Sequence, residues 1–490
     1  MKQFETVKRA KVNKSAFDLS HERKLSCKIG ELVPVLVQEV LPGDKFSIDT
    51  QSMIRLAPLI APLMHRLDAY IHFFYVPNRI LFQDDGWEKL ITGQNQETVP
   101  LLSMTEIKAG SLGDHLGLPL GAWSGDQEIS ALPFAAYYKI YNDYYRDQNL
   151  IPEVDLYGIL DENGGTLKKR AWEKDYFTSA LPWAQKGDPV SMSATINYKD
   201  EALLDIYDSA TAPTGALSGA QVVGTEKSKV QSAGAPGDYV KIENIEDVSI
   251  DVNELRRATR LQRWLERNAR AGSRYVEHLL AHWGVKSTDA RLQRPEYIGG
   301  GKSPIVISEV LNTANTPETG QGSMSGHGIN VGRTNQAYKY CEEHGFIMGI
   351  LSVIPASGYM QGLPKLFTRK VTLDFAFPEF AQLGEQAIQK GELYFQDDEV
   401  KDAETWGYQS RYAEYKYAMS TVHGVFKESL DFWHLDRKFA QLPPLASEFI
   451  ECQIDNDRVF AVNDAEVLYV QLYHRIKKIS PLPFFNDPTM

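Results

Sequence analysis

A period-2 pattern over residues 67–76 limits what the chain can fold into more than any other feature. Leu67, Ala69, Ile71, Phe73 and Tyr75 alternate with Asp68, Tyr70, His72, Phe74 and Val76, the period of a pleated strand, and Pro77 ends the run. Further β-rich runs occur at residues 32–37, 304–310, 346–354, 421–426, 458–462 and 467–473, separated by long connections containing Gly, Pro and Asp. No strand–helix pair recurs at the spacing of a parallel crossover. An antiparallel sandwich with large excursions is therefore expected, and no solenoid or propeller repeat competes with it.

The chain has 490 residues, which gives a soft prior of about three domains. With 43% apolar and 24% charged residues it is neither disordered, collagen-like nor coiled-coil. Lys plus Arg is 52 against 64 for Asp plus Glu, a net charge of −12, so any contact with a polyanion must be local. Cys27, Cys341 and Cys452 are far apart and form no paired ligand set, which predicts reduced thiols. Residues 1–13 lack an apolar core and the strongest apolar run, 346–354, stops at Pro355, so neither a signal peptide nor a membrane span is expected.

Two segments depart from the β background. Residues 191–250 are rich in Ala, Ser, Gly and Thr and net acidic, and read as an exposed insertion between a first part, 1–190, and a remainder, 251–490. Residues 252–284 form the best helix candidate, with Leu255, Ala258, Leu261, Leu265, Ala269, Val276, Leu279 and Leu280 near 3.6-residue spacing and Gly272 as an interruption. Arg256, Arg260, Arg263, Arg267, Arg270 and Arg274 step by four and three along it, so they draw one stripe. Like charges at this spacing cost about 0.2–0.5 kcal/mol per pair. A solvated face, a subunit contact with neighbouring carboxylates and a phosphate track all fit that stripe.

Catalytic patterns are weak. Gly299-Gly300-Gly301-Lys302-Ser303 ends like a phosphate-binding loop, but Glu296 stands where its first glycine belongs and Pro304 where its helix should start. A glycine turn into a strand is the expectation. His278 and His282 have the spacing of two metal ligands on a helix, but Leu279 replaces the Glu of a zinc protease. Asp397, Asp398 and Glu399, and the Asp455-Asn456-Asp457 turn, lack the spacing of a calcium loop. No nucleophile elbow is present. No catalytic residue, cofactor or metal is therefore assigned.

Both ends run against the acidic total. Lys2, Lys8, Arg9, Lys11 and Lys14 lie at the start, and Arg475, Lys477 and Lys478 lie near Phe484 and Phe485. Basic arms with aromatic rings suit single-stranded nucleic acid, amines meeting phosphates and rings stacking on bases, while solubilising termini are the plainer reading.

Several long strings carry a resemblance. They are Phe17-Asp18-Leu19-Ser20-His21, Val40-Leu41-Pro42-Gly43-Asp44, Ala57-Pro58-Leu59-Ile60-Ala61-Pro62-Leu63-Met64-His65 and Tyr176-Phe177-Thr178-Ser179-Ala180-Leu181-Pro182-Trp183. Ala290-Arg291-Leu292-Gln293-Arg294-Pro295-Glu296-Tyr297-Ile298-Gly299-Gly300, Ser308-Glu309-Val310 and Glu343-His344-Gly345-Phe346 follow in order. Together the chain resembles the major capsid proteins of the Microviridae, small single-stranded DNA phages, and within them the gokushovirus branch.

The resemblance implies an all-β, eight-stranded antiparallel jelly roll with long loop insertions and a few helices. It implies a structural protein of the virion, assembled in the bacterial cytoplasm through pentamers into a T=1 icosahedral shell around a circular single-stranded DNA genome. It also implies partners: an internal scaffolding protein, a DNA pilot protein, a small basic DNA-binding protein and a host surface receptor, with no membrane insertion. Residues 191–250 sit where that branch carries a three-fold protrusion, which would make Ser209, Gly215, Gly224 and Gly237 host-facing. The competing class is a jelly-roll or β-sandwich glycan-binding protein or glycoside hydrolase. Its aromatics would stack on sugars, and a hydrolase would need a carboxylate pair across a cleft.

Overall fold

Backbone pairing organises the chain around a ten-stranded sheet in which every pair is antiparallel. The computed structural model describes residues 13–82, 86–92, 98–123, 127–157, 164–188, 190, 195–198, 204–207, 239–242, 245–249, 252–272, 274–311, 313, 324–462 and 466–485. The strands are Ser15–Asp18 (β1), His21–Cys27 (β2), Val33–Val40 (β3), Lys45–Leu56 (β4) and Leu67–Pro77 (β5). After a long excursion come Glu296–Leu311 (β6), Met324–Arg333 (β7), Ala337–Tyr340 (β8), Gly345–Pro355 (β9) and Leu468–Ser480 (β10). Eight of them follow the path β1-β10-β4-β7-β6-β5-β9-β3, while β2 adds to β10 and β8 to β4.

Strand β6 turns this path into two facing layers. Up to Ile305 it pairs with β5, and from Val306 it pairs with β7. Pro304, which has no N–H to donate, sits at the changeover, where the Asn330 side-chain amide donates to its carbonyl at 2.7 Å. The inner faces share one buried cluster that includes Ile48, Ile54, Phe73, Ile350, Leu351, Leu472 and Ile476. This is the expected antiparallel jelly roll. The alternation in β5 is real, yet Tyr70, Phe74 and Val76 on its second face are buried too. Helix Leu132–Ile140 (α1) packs against β5 and β9, and a wider π-helical turn, Tyr141–Tyr145, continues it. From that turn the Tyr144 ring meets Phe74 at 4.7 Å.

The chain divides into two compact units, Met1–Ala184 with Ala269–Met490, and Gln185–Asn268. In the second unit Thr195–Tyr198 pairs with Ile245–Ser249 and Leu204–Tyr207 with Tyr239–Ile242, both antiparallel. Helix Val252–Ala271 (α2) follows, all but its last turn in that unit, and helix Tyr275–Trp283 (α3) lies in the first. Gly272, at φ +95°, separates the two helices as the sequence suggests, because a left-handed residue ends the helical ladder there.

Two expected strands are not formed. Within 421–426 the pairing is confined to Ser420–Thr421 against Gly358–Tyr359, after which Gly424 at φ +66° opens a tight 3₁₀ turn, Gly424–Lys427. Residues 458–462 make a turn held by the Val459 and Phe460 N–H groups on the Asn456 carbonyl, with a single bridge from Phe460 to Leu59. Their apolar side chains read like a strand because Val459 and Phe460 are fully buried plugs.

Candidate assembly and nucleic-acid surfaces

The arginine helix is open on nearly all sides. Arg256, Arg260, Arg263 and Arg267 are exposed, and among the described residues no carboxylate stands within ion-pair reach of any of them. Three of its apolar positions are open as well, Val252 at 57%, Leu255 at 46% and Leu261 at 44%, while Ala258 and Leu265 are half-buried and Ala269 is buried. Within its unit the helix is tied to residues 185–187, where Gln262 bonds Gln185 and the Lys186 N–H donates to the Leu265 carbonyl. The last two arginines differ. Arg270 meets the buried Glu385 carboxylate at 2.8 Å. Arg274 lies beyond the break, bonds Glu277 at 3.3 Å and donates to the Asn142 and Arg146 carbonyls, and burial lowers its pKa. The stripe is thus four open guanidinium groups followed by two that fix local structure.

The basic C-terminal series is not a tail. Arg475, Lys477 and Lys478 lie in β10, between β4 and the β1 and β2 strands. Arg475 bonds the buried Asp49 at 2.9 Å, and Arg333 joins the same oxygen at 3.1 Å. Lys478 points inward and meets the fully buried Asp44 at 2.9 Å. Lys477 alone of the three is exposed and lacks an ion pair among the described residues. Lys14 donates to the Gly43 carbonyl and, with Lys45, lies over the Tyr340 ring. Phe17 stacks on Phe484 at 5.9 Å, beside the exposed Phe485. At this end Lys14 and Lys45 share the Tyr340 ring. Lys2, Lys8, Arg9 and Lys11, and Ser209, Gly215, Gly224 and Gly237, lie outside the described residues.

The remaining motifs have structural explanations. Gly299 to Ser303 run inside β6, not around a phosphate, and Gly299 at φ +151° makes the register shift against β5. A Cβ on Gly300 would stand 2.3 Å from the Ile71 carbonyl oxygen, so close strand approach requires glycine there. Lys302 meets Asp68 at 3.0 Å and Glu173 at 3.5 Å. The His278 and His282 rings lie 4.4 Å apart on α3, tilted against each other, and no cluster of three or more metal-ligating groups exists among the described residues. Asp398 caps the short helix Glu399–Asp402. The three cysteines are buried free thiols, and burial pushes Cys341 and Cys452 up to about 12.

Sequence periodicity does not reveal one further surface. Between residues 364 and 384 a series of 3₁₀ turns holds Leu366, Phe367, Val371, Leu373, Phe375 and Leu383, each at least half exposed. Apolar residues without period 2 or 3.6 have no signature of their own; their high apolar content inside a connection is the available signal. Apolar exposure on this scale is characteristic of interaction surfaces.

Comparison with known proteins fits these features. The profile of the capsid protein (F protein) family matches residues 5–490. Capsid protein VP1 of Bdellovibrio phage phiMH2K is 36% identical over 94% of this chain and 92% of its own length. Capsid protein VP1 of Chlamydia phage 1 is 32% identical over 99% and 97%. Capsid protein VP1 of Spiroplasma virus 4 is 29% identical over 99% and 97%. These are structural proteins, so the chain is no enzyme and the hydrolase alternative falls. With an antiparallel jelly roll and large apolar surfaces left open in the single chain, it belongs to the phage capsid protein (F protein) family, on its gokushovirus-like side, and its place is the virion.

Proposed function

We propose that this chain is the major shell subunit of a small icosahedral phage, self-assembling through pentamers into a T=1 capsid around a circular single-stranded DNA genome. The observation that carries this reading is the family match along residues 5–490, joined to a chain that leaves the 364–384 surface and the α2 face uncovered. Residues 191–250 form the outward protrusion at the three-fold axes and meet the host receptor, Ser209, Gly215, Gly224 and Gly237 among them. An internal scaffolding protein, a DNA pilot protein and a small basic DNA-binding protein complete the assembly. The net charge of −12 supports that last partner, since a shell of this sign cannot neutralise packaged phosphates. Lys14 and Lys477, with the basic residues before them, supply local contacts to the genome.

Expression of the full chain, alone and with the scaffolding protein, followed by sedimentation and electron microscopy, tests this. Closed shells or pentamers are expected. A monodisperse monomer under both conditions contradicts it.

A further inference from the structure

Two surfaces stand open on the single chain, and their charges are opposite. On α2 the cations are left over. Arg256, Arg260, Arg263 and Arg267 are exposed, with no carboxylate in reach among the described residues. Spacings of four and three bring them onto one face, and the same spacings set Val252 beside Arg256 and Trp264 beside both Arg260 and Arg267. Val252 is exposed, and so is Trp264 at 47%. The face is cationic along its middle and apolar at its margins.

Residues 364–404 show the reverse. They hold five Lys and Arg against nine Asp and Glu. Each of the five cations already has a carboxylate of its own chain: Lys365 has Glu392 at 3.1 Å, Arg369 has Glu414 at 3.3 Å and Lys370 has Glu399 at 3.0 Å, while Lys390 has Glu404 and Lys401 has Asp398. Carboxylates remain. Asp374, Glu379 and Asp397 are exposed and have no ion pair among the described residues. Asp374 is held in its turn by the Lys370 and Val371 N–H groups, which donate to one of its oxygens at 2.6 and 2.8 Å. Asp374 and Glu379 lie in the same 3₁₀ turns as the exposed Leu373 and Phe375, or directly beside them, so acid and apolar groups are interleaved.

The pattern selects the occupant. Guanidinium groups are weakly hydrated and enriched at protein interfaces, where they pair with carboxylates. A phosphate backbone would satisfy the arginines but offers nothing to Val252 or Leu255, whereas the 364–384 turns offer Leu373 and Phe375. This chain carries both halves in equal number. We infer that α2 of one copy docks on the 364–404 surface of the next, its arginines facing the free carboxylates and its apolar margins facing the 3₁₀ turns. A contact between two unlike surfaces passes from each copy to the next and closes into a ring about a rotation axis. The inference rests on the reading that the chain assembles with itself, and it adds which two surfaces join.

Sedimentation of the full-length chain and its charge variants tests this, with circular dichroism as the check on folding. Arg260→Glu, Arg263→Glu and Arg267→Glu together, or Glu379→Lys with Glu399→Lys, should each lower the yield of assembled particles at least about fivefold, because like charges then face each other across the contact. Both sets in one chain should raise the yield above either set alone, since opposite charges face again. A photoreactive benzoylphenylalanine at Phe375, in an equal mixture of isotopically light and heavy chains, reads the contact without relying on charge. Light–heavy adducts on peptides from residues 252–271 are expected. Yields unaffected by either set, a combined variant no better than the sets it joins, or adducts confined to one copy or to other segments overturn the pairing. Phe375 adducts on added scaffolding protein instead of α2 give the surface to another occupant and overturn it as well. Light–heavy adducts in rings that never close would defeat the shell reading alone, and closed shells whose adducts fall outside α2 would defeat the pairing alone.

Discussion

At the scale of single residues, Lys477 and Lys478 show how neighbours in one strand diverge. Lys478 faces inward against Asp44, which is fully buried and also accepts the Leu41 N–H at 2.9 Å. Lys478→Ala strands that carboxylate, and breaking a buried pair costs about 3–5 kcal/mol. Lys477→Ala, on the open face, should stay within about 0.5 kcal/mol of the parent. Denaturant unfolding of the subunit measures both, and equal effects would contradict the placement. Two histidines add a pH dependence. Burial lowers His72, with Arg170 adding to it, and His474, with His21 next, each to about 4. His474 fits the neutral form, its Nε2 facing the Val35 carbonyl and its Nδ1 the Thr50 hydroxyl. Both would protonate near 6.5 when unfolded, so stability is complete above about pH 6.5 and is lost as pH falls towards 4. The loss reaches at most about 3 kcal/mol per histidine. Glu31 and Glu451, which burial raises, oppose it by favouring the fold as they protonate. Thermal melts from neutral pH down to about pH 4.5 should show the decline, and His72→Phe should flatten it; a curve as steep as the parent's would count against this account.

At the scale of elements, α2 is the segment whose chemistry is least satisfied within one chain. Reversing charge at Arg263 and Arg267 together should lower shell yield in sedimentation while circular dichroism of the subunit stays unchanged. Shells at parental yield would show that the stripe is merely solvated. The same elements show what the sequence makes legible. β5 is readable because Leu67, Ala69, Ile71, Phe73 and Tyr75 recur at period 2, and the α2–α3 break is readable because Gly272 lies inside a helical period. β6 runs longer than its sequence suggests: Gly299 to Gly301 read as a turn, yet the missing side chain of Gly300 lets β5 approach, and those of Gly299 and Gly301 make room for Ala337 and Thr334. Lys478 looks like part of a basic arm because its partner, Asp44, is distant in sequence and pairing alone brings the two together. The apolar 364–384 surface has no period at all, so neither a helix nor a strand template detects it.

At the scale of the whole molecule, the facing sheet layers hold the main buried cluster, a second cluster around Phe177, Trp406 and Phe449 lies outside them, and apolar surface is left uncovered at residues 364–384. Residues 191–250 are rich in Ala, Ser, Gly and Thr, and ordering them costs roughly 1–2 kcal/mol per residue, so on the proposed reading symmetry mates supply the contacts that offset it. Replacing residues 209–237 by a short Gly-Ser linker should therefore leave the subunit folded while attachment to cells falls. A variant that cannot fold would contradict the insertion reading. The most direct measurement is an electron cryomicroscopy reconstruction of particles assembled from this chain. The account predicts a closed T=1 shell with one chain per asymmetric unit, residues 191–250 outward at the three-fold axes, and α2 with the 364–384 surface covered by neighbouring copies. Particles of another triangulation number, or a shell in which those two surfaces remain bare, would contradict it.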